Sequence, residues 1–428
     1  MFYSSQELSE KLANDDFEAK LQWLYGSAAA EQPKRYGAAV KKQLEAFGEG
    51  SGIALFSAPG RSEIGGNHTD HQHGRVLAAA VTMDLLAAVS KTSKNEIRIL
   101  SEGYPLCTVS LESLEPIKSE ENSSSALIRG VAAGFSQRGY SIGGFDATMS
   151  SQVPKGSGLS SSAAYEVMVG TILSKLYNEG KVSPVEIAQI GQYAENKYFG
   201  KPCGLMDQTA SSVGGFVAID FKDPKEPIVK QVKCDLAALG YTICIVNAGG
   251  SHANLTSEYA AIPAEMCSVA KLFGKSVLRE VDYDEFMREL PKLRGKVSDR
   301  ALLRAIHFFE ENDRAALQAE ALESGDLKRF LSLIGQSGES SEKLLQNVYP
   351  ANGGGERSVS LALVLSRQIL EGKGVWRVHG GGFAGTIQAF VPNSMVDEYQ
   401  DKMEQIFGAG SCYKLSVRPV GGYALEEK

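Results

Sequence analysis

Apolar and polar positions along the chain switch between a helical and a strand-like period, and the switches mark its elements. Residues 1–47 read mainly as helix and stop at the glycine-rich Gly48-Glu49-Gly50-Ser51-Gly52. Residues 53–58 form a short apolar run ending in Pro59-Gly60 and read as a strand, whereas residues 61–74 are polar and read as a loop. Two runs at 76–90 and 97–100 are apolar, partly β-branched and bounded by turn residues, which predicts strands. A helix is predicted over 125–138, a strand over 145–153, and a helix from about Ser161 to Leu176. In that helix Ala164, Met168, Ile172 and Leu176 recur every four residues on one stripe. Ser183-Pro184-Val185-Glu186 combines a capping box with proline at the first helical position, so another helix begins there. After Asp207 the pattern turns strand-like at 215–220 and 241–247, and charged amphipathic helices dominate 255–346. A helix, a strand at 375–378, a glycine-rich loop, a strand at 386–391, a helix and a strand at 413–418 follow.

This order of elements is α+β, and 428 residues suit two lobes, 1–225 and 226–428. With 43% hydrophobic and 22% charged residues the composition is globular. A formal net charge of -7 supplies no basic field for phosphodiester backbones, so nucleic acid is not expected as a partner. Cys107, Cys203, Cys234, Cys244, Cys267 and Cys412 are scattered without a Cys-x-x-Cys pair, which disfavours structural zinc and a disulfide framework. The first twenty residues are acidic and lack the charged start and apolar run of a signal peptide. The most apolar stretch, 76–89, is interrupted by Asp84 and falls short of the ~20 residues a membrane helix needs. A cytoplasmic monomer that binds no membrane is the expectation.

The segment most suggestive of chemistry lies between the strand ending near Val153 and the helix opening near Ser161: Pro154, Lys155, Gly156, Ser157, Gly158, Leu159, Ser160, Ser161, Ser162. Two glycines let a backbone approach a ligand, the serines add hydroxyl donors, and the helix end aims its unpaired N–H groups at the same point. Such a loop can hold phosphate, and it can equally be a plain serine-glycine helix cap. Two other phosphate patterns fail. Gly274-Lys275-Ser276 has Val269 where a P-loop requires glycine, and Gly380-x-Gly382-x-x-Gly385 leads into strand-like sequence where a dinucleotide fingerprint requires a helix. The loop Asp70, His71, His73 with His68 is dense in metal-ligand types, yet all come from one short segment without a distant partner cluster.

Four segments together resemble the galactokinases, members of the superfamily that includes homoserine, mevalonate and phosphomevalonate kinases. They are Ala58-Pro59-Gly60-Arg61 with Gly66-Asn67-His68-Thr69-Asp70, the serine-rich loop, the run Gly200 to Gln208, and Gly380 to Gly385, in the order the family shows. The resemblance implies an N-terminal lobe with a ribosomal-protein-S5-like mixed sheet and phosphate loop, a ferredoxin-like C-terminal lobe, and a cleft between them. It implies ATP and Mg²⁺ as cofactors and a sugar as acceptor, phosphorylated at its anomeric hydroxyl, galactose first. By matching position, Asp207 and Arg61 are the catalytic pair; Lys155 to Ser162 hold the nucleotide phosphates; Ser162 and Glu195 hold the metal. Asn67, His68, Asp70, Gly204 and Tyr259 face the sugar, and Gly381, Gly382 and Phe383 line the cleft.

Galactokinases usually read GRxNLIGEHTDY, and here Asn67 stands where that pattern has glutamate. An amide donates as well as accepts and does not repel a carboxylate, which makes a uronic acid an alternative substrate. The string Asp70-His71-Gln72 also resembles the matching loop of plant galacturonokinases. A catalytically silent sugar- and ATP-binding regulator is the alternative of another class, and the presence of both Arg61 and Asp207 argues against it.

Overall fold

The structure, a computed structural model, describes residues 2–154, 156–201, 203–250, 255–351 and 355–426. Its strands are β1 (Ala54–Gly65), β2 (Arg75–Lys91), β3 (Glu96–Ser101), β4 (Cys107–Ser110), β5 (Phe145–Ser151), β6 (Phe216–Asp220), β7 (Ile228–Val232), β8 (Tyr241–Asn247), β9 (Val375–Val378), β10 (Thr386–Pro392), β11 (Cys412–Leu415) and β12 (Tyr423–Leu425). The helices are α1 (Ser5–Ala13), α2 (Glu18–Tyr25), α3 (Gln32–Phe47), α4 (Ser124–Gln137), α5 (Ser161–Tyr177), α6 (Pro184–Ala194), α7 (Met206–Val213), α8 (Thr256–Leu272), α9 (Tyr283–Leu293), α10 (Asp299–Glu323), α11 (Leu327–Ser340), α12 (Ser358–Leu370) and α13 (Val396–Phe407).

The first sheet runs β12-β1-β2-β5-β3-β4, with β6 on the far stretch of β2 and β7 beyond it. It is mixed, because β3 lies parallel to β5 while the other pairs are antiparallel. Leu8, Leu21, Leu24, Tyr36 and Val40 of the N-terminal helices pack with Leu55, Leu86 and Ala88 on one face. The opposite face, through Phe56, Ala87 and Ala147, packs with Ile128 of α4, Met168 and Ile172 of α5 and Ile190 of α6. The four-apart stripe on α5 is thus a core stripe, and its fully buried Met168 and Ile172 contribute about 1.5–3 kcal/mol each. The capping box at Ser183 and Glu186 is present.

The second sheet is antiparallel in the order β11-β8-β10-β9, and β8, helices, β9, β10, α13, β11 is a ferredoxin-like succession. The lobes are not separately cored. Ile64, Leu77 and Val81 of the first sheet, Ile243, Ile245 and Phe390 of the second, and Phe330 and Ile334 of α11 form one buried cluster.

Two differences from the sequence expectation matter. The first sheet takes β7 and β12, so the chain crosses after residue 232 and returns at 423 instead of dividing once near 225. The strand expected to stop at residue 58 continues as β1 to Gly65, pairing Arg61, Ser62 and Glu63 with Ala80, Ala79 and Ala78. Those polar residues are buried, and each has a partner brought from elsewhere in the chain.

On the N-terminal side, β1 and β2 also carry a buried polar knot. Asp84 accepts from Tyr25 at 2.6 Å and from Ser57, and is paired with Arg35 and, at 3.2 Å, with Arg418.

Candidate functional site

The site is assembled where the end of β1 meets the loop from β5 to α5. The N–H of Arg61 donates to the Leu159 carbonyl at 3.0 Å, which locks strand and loop together. From there the Arg61 side chain reaches Asp207 through two parallel contacts, Nε to Oδ1 at 2.7 Å and Nη2 to Oδ2 at 2.7 Å. Its remaining nitrogen, Nη1, donates to the Gly158 carbonyl. Asp207 occupies the first turn of α7, where the helix end favours a carboxylate, and also accepts from the Ser160 hydroxyl. Burial pushes the Asp207 carboxyl up, but Arg61 and Ser160 outweigh it and hold it below the ordinary aspartate value.

The loop has the backbone such a role demands. Gly156 and Gly158 have φ of +73° and +74°, and Ser160, also left-handed at +55°, turns the chain into α5. Nothing lies within 4 Å of where a Gly156 side chain would begin, so that side is open. Ser157 ties its hydroxyl to the Pro154 carbonyl at 2.7 Å, and Leu159 is sunk in the core. Ser161 and Ser162 open α5, leaving its first N–H groups without intrahelical partners toward the loop. Lys155 lies outside the described residues.

Below the loop, the almost wholly buried Glu195 begins a π-helical turn, Glu195–Phe199, that continues α6. Its Oε2 accepts from Gln208 Nε2 at 2.9 Å, and its Oε1 lies 3.4 Å from Lys201 Nζ. The Gln208 amide also donates to Glu166 of α5 at 2.9 Å. Burial and the neighbouring Glu195 push the Glu166 carboxyl well above the usual glutamate value. Serine hydroxyl and carboxylate oxygens are the hard donors that suit Mg²⁺, an ion that keeps several of its own waters, so Ser162 and Glu195 fit that ion.

The residues matched to the sugar cluster on the other side of Asp207. Asp70 lies directly over Gly204, where a side chain would begin 2.5 Å from Asp70 Oδ2. His68 Nε2–H donates to the Gly381 carbonyl at 3.0 Å, and burial pushes its imidazole down to about 4, leaving it neutral. Tyr259 donates to the Gly382 carbonyl at 3.0 Å and sets its ring edge-on to Phe383, with centroids 5.4 Å apart. Asn67 is the exception to this picture. It is fully buried, with Nδ2 donating to Glu63 at 2.8 Å and to the Gly380 carbonyl at 2.7 Å, while Oδ1 accepts from Asn347 at 2.8 Å. Its side-chain amide thus braces the glycine loop through Gly380 and Asn347.

Several groups at the site are not evident from sequence. Ser160 is singled out for phosphate, yet its hydroxyl is on Asp207. His379, packed 3.0 Å from where a Gly158 side chain would begin, joins Ser62 at 3.0 Å and Thr386 at 3.1 Å. Burial, with Arg61 and Arg377 nearby, keeps it neutral. Glu63 pairs with Arg377 at 3.0 Å beneath Asn67. Gln208 carries a signal only in being next to Asp207.

Known proteins resemble this chain both in segments and in overall fold. A family model described as the GHMP kinases N terminal domain matches residues 126–215, and the galactokinase galactose-binding signature matches residues 44–91. The first match holds the phosphate loop, Glu195 and Asp207; the second holds Arg61, His68 and Asp70. Lactococcus lactis galactokinase, solved with galactose, superposes with a TM-score of 0.75 at 25% identity, over 90% of this chain and 98% of that one. The Methanococcus jannaschii mevalonate kinase gives 0.58 at 14% identity, over 86% and 99% of the two chains. The Streptococcus pneumoniae phosphomevalonate kinase gives 0.57 at 13%, over 87% and 99%. The last two are likenesses of fold. Residues 126–215 thus carry a GHMP kinases N terminal domain and residues 44–91 a galactokinase galactose-binding signature, on a fold similar to that of a galactokinase, which marks the chain as a phosphotransferase acting on a sugar hydroxyl.

Proposed function

We propose that the chain transfers the terminal phosphoryl group of ATP to the anomeric hydroxyl of galactose, giving galactose 1-phosphate and ADP, with Mg²⁺ held by Ser162 and Glu195. The observation that carries this reading is the two-point Arg61–Asp207 pair at the mouth of the serine-glycine loop. Phosphoryl transfer asks a protein mainly for alignment and neutralisation of charge. The loop amides and the N-terminus of α5 take the nucleotide phosphates, Arg61 stands beside the transferring group, and Mg²⁺ neutralises phosphate charge when bound. Asp207, with its carboxyl held low by Arg61, is ionised at neutral pH and a weak proton acceptor. Its main role is to accept a hydrogen bond from the sugar hydroxyl and aim the oxygen. His68, Asp70, Gly204 and Tyr259 position the ring, backed by the glycine loop at Gly381, Gly382 and Phe383.

A second reading, galacturonate, has an observation of its own. Relative to the galactokinase pattern, asparagine and glutamate have changed places: Glu63 and Asn67 stand where the pattern has asparagine and glutamate. The carboxylate is thereby drawn inward onto Arg377, and a neutral amide replaces it behind the sugar loop. A substrate carboxylate meets less repulsion there. The deciding experiment is ATP consumption by purified protein with galactose, galacturonate, glucose, arabinose and N-acetylgalactosamine, with Asp207→Asn as control. Turnover of galactose above the others supports the first reading and preference for galacturonate the second; turnover of none leaves a silent binder and removes both.

A further inference from the structure

We propose that Gln208 is a positioning residue that fixes the Glu195 carboxylate for a divalent cation, with Glu166 as its anchor. This rests on the kinase reading above. Gln208, Glu166 and Glu195 come from α7, α5 and the turn after α6, and all are nearly or completely buried. Two carboxylates side by side without water repel each other unless donors come between them. Here one amide nitrogen does so, with Nε2 2.9 Å from Glu166 Oε2 and 2.9 Å from Glu195 Oε2. An amide nitrogen has two hydrogens, and one goes to each carboxylate.

The arrangement is built closely. At Gly191 of α6 a side chain would begin 3.0 Å from Glu166 Oε2 and 3.1 Å from the Gln208 Cγ, so glycine lets the three elements meet. Glu166 lies four residues after Ser162 on α5, which puts its anchor on the helical face of the other proposed metal residue. Gln208 follows Asp207, so the same turn of α7 fixes the sugar-side carboxylate. With Oε2 of Glu195 held inward by Gln208, Oε1 is the oxygen left for a cation; here it faces the ammonium of the exposed Lys201 at 3.4 Å, whose place a bound ion would take. Gln208 therefore selects which oxygen of Glu195 is offered and stops the carboxylate from rotating.

The test is Mn²⁺ binding, read by electron paramagnetic resonance with a non-hydrolysable ATP analogue present, so that no turnover is needed. Gln208→Leu and Glu166→Leu are expected to weaken Mn²⁺ binding by about 10- to 100-fold, the usual effect of losing a group that orients a metal ligand. Glu166→Gln keeps an acceptor for Gln208 and should stay near wild type. Binding of the analogue without metal, and of sugar, should not change in any variant. The inference is overturned if Gln208→Leu binds Mn²⁺ like wild type. It is equally overturned if metal-free nucleotide binding falls in parallel, or if Glu166→Gln fails as badly as Glu166→Leu. A wild-type protein that binds no Mn²⁺ with the analogue overturns the kinase reading instead.

Discussion

Two aspartates of this protein sit against arginine, and they do opposite things. Asp84 is sealed. Its side chain and that of Arg418 have no exposure, and its oxygens are taken by Arg35, Arg418, Tyr25 and Ser57. Asp207 keeps 32% of its side chain exposed against 9% for Arg61, and its other partner is the hydroxyl of Ser160 in the serine-glycine loop. Burial raises both carboxyls and nearby arginines more than offset it, so both titrate below the ordinary value. The lesson is that an ion pair satisfied on all sides fastens a fold, whereas the same pair left open on one side has capacity for a reacting group. Asp84 holds the N-terminal helices to β1 and β2; Asp207 holds an arginine beside the serine-glycine loop.

Substitutions that separate the two clusters test this contrast. The largest effect is expected from Arg61→Ala, with kcat down by about 10³–10⁵-fold, as for arginines that neutralise a transferring phosphoryl group. The protein should stay folded by circular dichroism, and an unchanged rate would remove Arg61 from the mechanism. Asp207→Asn should lower kcat by about 10²–10⁴-fold, with little change in the urea midpoint. Asp84→Asn should reverse that pattern, losing about 3–5 kcal/mol in urea denaturation because two arginines are left without their counter-charge, while kcat per folded molecule holds. Equal effects of the two asparagine variants on rate would break the comparison.

Acid should read the sealed cluster more strongly than the open one. A carboxyl whose folded value is depressed stabilises the protein fully above its unfolded value of about 4, and loses that contribution as pH falls through the folded value. Asp84 and Asp207 are depressed in this way, and Glu311, buried against Arg314, is down to about 2 despite its burial. Stability should therefore fall between about pH 4 and pH 2, and the fall should be shallower in Asp84→Asn; an identical slope would exclude Asp84 as a contributor. The smallest effect is expected from Gly204→Ala, whose new methyl meets Asp70. It should raise the sugar KM about tenfold, roughly 1.4 kcal/mol, and leave the KM for ATP alone.

The sequence is most readable where one element explains itself. The α5 stripe and the Ser183 capping box are local patterns, and both are present where expected. The serine-glycine loop reads from sequence as either a phosphate cradle or a helix cap, and only the fold brings Arg61 and Asp207 onto it. The unread parts are those whose logic is tertiary. Arg61, Ser62 and Glu63 look like loop residues because polar side chains rarely line a buried strand, and partners distant in the chain, among them Asp207, His379, Gln388 and Arg377, let β1 continue. α7 opens at Met206 without a side-chain cap, so nothing local announces it. Asn67 reads as a sugar contact by its position in the family pattern, and no local signal shows that its amide is engaged by Glu63, Gly380 and Asn347, two of them far downstream in the chain.

The strand that carries Arg61 is bordered by β12, with Leu55 opposite Leu425 and Ser57 opposite Tyr423. Arg418, the counter-charge of Asp84, lies just before β12. During synthesis the helices and most of the first sheet can therefore gather long before their closing edge and one of their buried cations exist. Until residues 418–425 have been made, Asp84 has only Arg35 against it and β1 presents an unpaired edge, so this half of the protein must wait, exposed to wrong partners, for a segment encoded far downstream.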